Sequence, residues 1–153
     1  MSTSTKNNER FKVYAAAFLV LVKDGQVLLL KRKGTGYKDG EYSLIAGHLD
    51  GGETTKQCII REAREEAGIK INPEDLEVTH TMHYLSPDRE YFGIFLNAEK
   101  WSGKITNMEP DKCEELEWFS LDSPPNNLVP EIKLALDNIK KNIHFSEFGW
   151  ATH

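Results

Sequence analysis

Gly47-His-Leu-Asp-Gly-Gly-Glu53, followed after seven residues by Arg61-Glu62-Ala63-Arg64-Glu65-Glu66-Ala67-Gly68-Ile69, is the stretch on which the reading of this chain turns. Between Thr54 and Ala67 the apolar residues Ile59, Ile60, Ala63 and Ala67 recur at helical spacing. Thr54 with Gln57 three residues later forms a capping-box pair, and Gly68 stands where a helix end needs a left-handed residue. On such a helix Glu62, Glu65 and Glu66 lie at i, i+3 and i+4 and project from one face. Like charges at these spacings oppose a bare helix by ~0.2–0.5 kcal/mol per pair. The crowding is useful if a divalent cation sits among the carboxylates, because hard cations take oxygen ligands. Gly47, Gly51 and Gly52 just upstream let backbone approach a ligand closely. Taken alone, an Arg-Glu-Ala-Arg-Glu-Glu helix reads as a solvated face laced with ion pairs.

The rest of the chain frames that segment. Its 153 residues suit one domain, expected over residues 11–153 behind a flexible N-terminus at 1–10. Apolar residues at 39% and charged residues at 28% exclude a disordered or a membrane-embedded chain. A net charge of −5 argues against a scaffold that grips nucleic-acid backbone, yet permits a small anionic substrate bridged by a metal ion. No apolar run is long enough to span a membrane, and Met1–Glu9 lack the apolar core of a signal peptide, so a cytoplasmic protein is expected. Cys58 and Cys113 form no C-x-x-C pair, which excludes a zinc ribbon and a disulfide framework.

Two β-rich segments, Val13–Val22 and Val27–Leu30, flank Lys23-Asp24-Gly25-Gln26, a strong hairpin signal. A Gly-rich loop covers 34–40, and a short apolar piece covers 42–46. Strand patterns follow at Leu76–Leu85, Glu90–Ala98 and Glu114–Phe119, with a long loop from Trp101 to Cys113. After Ser123-Pro124-Pro125 an amphipathic helix is expected from Val129 to about Asn142, with Ile132, Leu136 and Ile139 inward. The expected fold class is α/β, a mixed β-sheet with helices on its faces.

The segment resembles the Nudix box, G-x5-E-x7-R-E-U-x-E-E-x-G-U, where U is a bulky apolar residue. Gly47, Glu53, Arg61, Glu62, Glu65, Glu66 and Gly68 fill its fixed positions, Ile69 fills the last U, and Ala63 the first, where it is smaller than usual. With each fixed type near a ~7% frequency, a chance match at any start is about 10⁻⁸. Ile45-Ala46-Gly47 replaces the frequent Pro-Gly-Gly entry, and Asp50 stands where Glu is common. The opening strands, Trp118–Asp122 and the C-terminal helix also resemble family members.

The resemblance implies a Nudix fold, an α/β/α sandwich around a mixed sheet, and cleavage of a nucleoside diphosphate linked to another group. It implies Mg2+, with Mn2+ able to use the same oxygen ligands. Glu62 and Glu66 would be the principal metal ligands, Glu65 a further ligand or the base that prepares water, and Ala46 a backbone-carbonyl ligand. Arg61 would orient the carboxylates, and Glu53 would brace the loop–helix junction. A distal acid common in the family has candidates in Glu109, Asp111, Glu114 and Glu115, of which Glu109 is preferred for its place in the long loop.

Rough alignment with MutT-type enzymes puts Arg32 and His48 near the phosphates and Asn127 at the base; each also reads as an ordinary edge, loop or turn residue. Tyr37, Tyr84, Tyr91 and Phe92 are aromatics that could stack a base. Flanking motifs of the coenzyme A and NADH subfamilies are absent, and the downstream Pro or Tyr markers of ADP-ribose and dinucleoside polyphosphate enzymes do not fit. The expected substrate is therefore a small-molecule nucleotide, a (deoxy)nucleoside triphosphate cleaved to monophosphate and pyrophosphate. ADP-ribose and dinucleoside polyphosphates are the alternatives. A non-catalytic nucleotide sensor is the reading from another class, and the intact Glu53, Arg61, Glu62, Glu65 and Glu66 set argues against it. A homodimer is open, with Phe145, Phe148 and Trp150 assigned to sheet packing or a dimer seam rather than to a partner protein.

Overall fold

The computed structural model describes residues 9–151, so most of the expected flexible N-terminus lies outside the described residues. Strand β1 (Tyr14–Lys23) turns into β2 (Gln26–Arg32) through Asp24 and Gly25, whose φ values of 53° and 75° are those the expected tight turn demands. The short strands β3 (Tyr42–Ser43) and β4 (Ile45–His48) precede helix α1 (Thr55–Ala67). A single 3-10 turn then leads to β5 (Glu77–Leu85), β6 (Glu90–Ala98), β7 (Cys113–Ser120), helix α2 (Pro130–Lys140) and β8 (Phe145–Phe148).

All eight strands join one mixed sheet in the order β3-β2-β1-β6-β5-β8, with β4 also on β1 and β7 also on β2. β1 runs parallel to β6, from Tyr14 opposite Tyr91 to Leu21 opposite Ala98, and antiparallel to β4 and β2. Because side chains alternate along a strand, β1 serves two layers at once. Ala17, Leu19 and Leu21 pack with Ile59, Ala63 and Ala67 of α1, whereas Ala16, Phe18 and Val20 pack with Ile132, Ala135 and Leu136 of α2. This is the expected α/β/α sandwich. Its central strand is apolar from Ala15 to Val22 because both of its faces are covered there. Cys58 and Cys113 are free and buried in the α1 layer.

α1 begins and ends as its sequence dictates. Thr54 accepts from the Gln57 amide while the Gln57 side chain accepts from the Thr54 amide, and Gly68 closes the helix at φ 69°. In α2, Ile132 and Leu136 are buried and Ile139 is partly so. The C-terminal strand β8 was not anticipated. It pairs parallel to β5, Thr81 opposite Phe145 through Tyr84 opposite Phe148, and extends the sheet by one strand. The buried ring of His80 holds it there, with Nδ1 2.8 Å from the Ile143 carbonyl and Nε2 2.8 Å from the Ser146 hydroxyl. Phe148 packs into the α2 layer and the Trp150 indole N–H donates to the His83 carbonyl, so these aromatics fasten the sheet edge; Phe145 stays half exposed. No helix among the described residues is long and apolar enough to cross a membrane.

Candidate active site

Arg61 organises the acidic face of α1. Its guanidinium meets Glu53 through two parallel bonds, Nε to Oε2 and Nη2 to Oε1, both 2.9 Å. Such fork-on-fork pairing fixes orientation as well as distance. The remaining Nη1 donates to Glu62 at 3.0 Å and to Glu65 at 3.2 Å. One cation thus gathers three of the box carboxylates. The bonds Arg61 donates to Glu53 hold that carboxyl below the usual carboxylate range and raise Arg61 further above its ordinary value.

Glu66 sits deeper. Burial, a hydrogen bond with Glu62 and the charges of Glu62, Glu109 and Glu65 push it up to about 10. Gly47 explains its place in the box: a Cβ there would overlap the Glu62 carboxylate. The glycine is what lets Glu62 lie flat against β4.

Ala46 offers its carbonyl by strand geometry. The Leu49 amide donates to the Ala15 carbonyl at 2.9 Å, which makes that pair a hydrogen-bonded one. Bonded and non-bonded pairs alternate along an antiparallel ladder, so Ala46, opposite Phe18, turns its N–H and C=O away from β1. Among the described residues β4 pairs with no other strand, and Ala46 lines the cavity formed with the acidic face.

The long loop before β7 is attached to the end of α1. Thr106 and Met108 donate their amides to the carbonyls of Ala67 and Glu66, at 2.9 and 3.2 Å, satisfying acceptors that a helix end leaves open. The same attachment delivers Glu109 to the acidic face. Of the four distal acids, Glu109 alone lines the cavity with Glu62, Glu65 and Glu66. Glu114 instead pairs with Lys31 at 3.4 Å, and Glu115 accepts the Tyr42 hydroxyl.

This acidic cavity encloses about 350 Å³ and also receives Ala46, Arg32 and Lys112. Among the described residues no three His, Cys, Asp or Glu side chains already stand in metal-holding geometry. Arg61 engages oxygens of Glu62 and Glu65 instead. The donor set is nonetheless all oxygen, carboxylates and a backbone carbonyl, and that chemistry suits a divalent cation.

A second cavity of about 580 Å³ adjoins the first, and both are lined by Arg32 and Ala46. Aromatic rings dominate it. Tyr84 and Tyr91 stack at 4.7 Å and 4°, and Tyr37 and His48 line it as well. His48 sits 5.7 Å from the Tyr91 ring, in the aromatic cavity and not in the acidic one. Asn127 lines neither; its amide donates to the Gly40 carbonyl at 2.8 Å, tying down the loop before β3. Phe92 stacks on His83 outside both cavities. Among the lining residues that the sequence did not single out are Lys112 in the acidic cavity, and Arg89 and Glu131 in the aromatic one. Each is a charged residue in a loop or a first helical turn, where sequence offers only solvation as a reading.

Comparison with known proteins agrees with this architecture. The profile of the NUDIX domain matches residues 11–139. The NAD-capped RNA hydrolase NudC of Pseudomonas aeruginosa is 37% identical over 109 residues, 71% of this chain and 37% of the relative. Its counterpart from Stutzerimonas stutzeri is 34% identical over the same length and the same shares. The chain therefore spans little more than a third of these relatives, 37% of their length. Among solved structures, a MutT NUDIX hydrolase from Burkholderia pseudomallei superposes with a TM-score of 0.76 at 26% identity, covering 83% of this chain and 98% of that one. With its box assembled into a single acidic face and the family profile matched over residues 11–139, the chain belongs to the Nudix hydrolases, a family of pyrophosphohydrolases.

Proposed function

We propose that the protein is a Mg2+-dependent pyrophosphohydrolase that cleaves a nucleoside triphosphate to the monophosphate and pyrophosphate. The observation that carries this reading is the pair of adjoining cavities, one lined by carboxylates and the other by aromatic rings, which share Arg32 and Ala46. A nucleotide has the same two halves, a phosphate chain that needs charge compensation and a ring that stacks.

Glu62, Glu66, Glu109 and the Ala46 carbonyl would hold the cation, with Mn2+ able to use the same donors. The cation supplies neutralisation of the diphosphate and a more acidic bound water. The chain's own groups supply the rest. Glu65 is the most open of the Arg61-linked carboxylates, its side chain 46% exposed, and Arg61 engages only its Oε1. Its other oxygen is free to accept a proton from attacking water. Arg61 holds Glu65 and Glu62 in register, and Glu53 holds Arg61. Arg32 and Lys112 offset charge on the phosphates, while Tyr37, Tyr84 and Tyr91 wall the ring site.

A second reading is a dinucleotide substrate. The 37% identity to NAD-capped RNA hydrolases and the larger volume of the aromatic cavity favour it, and the absence of the flanking NADH-subfamily motif weighs against it. Incubation with Mg2+ and a panel of nucleoside triphosphates, NAD, ADP-ribose and dinucleoside polyphosphates decides between them, with products resolved by chromatography and Glu66→Gln as control. Turnover of a triphosphate, lost in the variant, is expected. Turnover confined to NAD or a dinucleoside polyphosphate would replace the first reading by the second. Metal-dependent binding with no turnover of any compound would leave only a sensor.

A further inference from the structure

The loop between β2 and β3 folds back on the side chain that stands between the two cavities. Arg32 closes that loop with its own backbone, donating to the Glu41 carbonyl at 2.9 Å and accepting from the Gly40 amide at 2.7 Å. Its side chain is fixed as well. Nε donates to the Tyr37 carbonyl at 2.6 Å, Nη2 donates to the Thr35 hydroxyl at 3.1 Å, and the guanidinium lies 5.3 Å from the Tyr37 ring centre. Nη1 has no hydrogen-bond partner among the described residues, and Arg32 lines both cavities.

The Thr35 hydroxyl decides whether this arrangement holds. A hydroxyl has one proton to give and two lone pairs to receive with. Thr35 Oγ1 lies 2.6 Å from Asp39 Oδ1, 2.9 Å from the Tyr37 carbonyl, and within reach of two donors, Arg32 Nη2 and the Tyr37 amide at 3.1 Å. An ionised carboxylate only accepts, and 2.6 Å is the length of a charge-assisted bond, so the proton goes to Asp39. Both lone pairs are then free for Arg32 and the Tyr37 amide. Asp39 also accepts from the Thr35 amide at 3.1 Å and the Gly36 amide at 2.9 Å, which pins the loop. Without Asp39 the Thr35 hydroxyl and the Thr35 and Gly36 amides lose their acceptor, and the turn that presents the Thr35 hydroxyl and the Tyr37 carbonyl to Arg32 loses its anchor.

We infer that Asp39 is a positioning residue which, through the Thr35 hydroxyl, aims the Arg32 guanidinium at the phosphate chain of a nucleotide lying across the two cavities. This rests on the nucleotide reading above for the identity of the ligand, and on the loop alone for the geometry. The consequences separate by substitution. Asp39→Ala and Thr35→Val remove the two ends of the relay. Asp39→Asn sets an amide N–H2 against the Gly36 amide or the Thr35 donors. Thr35→Ser keeps the hydroxyl.

The test is steady-state kinetics on the nucleotide that the panel identifies, with the melting temperature of each variant recorded. Asp39→Ala and Thr35→Val are expected to raise KM about tenfold with kcat within about a factor of three, and Thr35→Ser to restore it. In an Arg32→Ala background, Asp39→Ala should add nothing further. Wild-type KM in Asp39→Ala, or an undiminished Asp39→Ala effect without Arg32, overturns the inference. A second readout does not depend on turnover. The Arg32 Nε–H resonance in a 15N-labelled protein should exchange slowly with solvent in the wild type and in Thr35→Ser, and fast in Asp39→Ala and Thr35→Val. If no compound of the panel is hydrolysed, the nucleotide reading fails while this resonance still decides the positioning: equal exchange in all four proteins overturns it.

Discussion

Gly47 and Glu62 press against each other so closely that the glycine cannot gain a methyl without displacing the carboxylate. Gly47→Ala should therefore weaken cation binding on the order of 10–100-fold while the helix itself remains. The rise in melting temperature on adding Mg2+ measures this, and the variant's titration should shift to correspondingly higher Mg2+. Glu65→Gln and Glu66→Gln should each lower kcat by ~10²-fold or more at saturating Mg2+ with an unchanged circular dichroism spectrum. Near wild-type turnover in either would remove that residue from the mechanism. At this scale the grouping of the box carboxylates was legible, because helical spacing puts Glu62, Glu65 and Glu66 on one face and Arg61 four residues before Glu65, while its contact with the adjacent Glu62 was not. His48 and Asn127 were not. Whether a side chain on β4 or before α2 faces an acidic or an aromatic cavity depends on sheet register and helix placement, which neighbouring sequence does not encode.

At the level of elements, the N-terminus of α1 is closed by a reciprocal pair of bonds between Thr54 and Gln57. Thr54→Ala should cost about 1 kcal/mol, a fall in melting temperature of roughly 2–4 °C, measurable by calorimetry. Activity should fall less than in the carboxylate variants, because Glu62 and Glu66 lie about two and three turns further along the helix. Capping signals, the Asp24-Gly25 turn and the alternation of β5 and β6 are local, and all were readable from the chain. β8 was not, since Phe145-Ser-Glu-Phe148 is four residues long and its partner β5 lies some sixty residues earlier. The attachment of the Thr106–Met108 segment to the end of α1 escaped for the same reason: it is made by backbone groups whose side chains leave no pattern.

For the molecule as a whole, the C-terminal strand is part of the sheet, and its loss should be felt everywhere. A chain ending at Asn142 would leave the buried His80 Nε2 without Ser146 and uncover the edge of β5. Such a chain is expected to melt at a lower temperature and to self-associate, as size-exclusion chromatography would register. Full-length behaviour in the truncated chain would show that β8 is dispensable. The placement of β1 has a consequence for the order in which the protein comes into being. The strand that both layers rest on is synthesised first, yet its parallel partner β6 follows only after the whole box, and Glu109 later still. A nascent chain that has just released Ile69 carries every residue of the motif and the strands β1 to β4, but neither β6 nor the loop that brings Glu109. Recognition of the motif in a sequence therefore runs ahead of the chemistry: the Arg61 links can form early, yet the acidic cavity is complete only when the later segments close around the first strand.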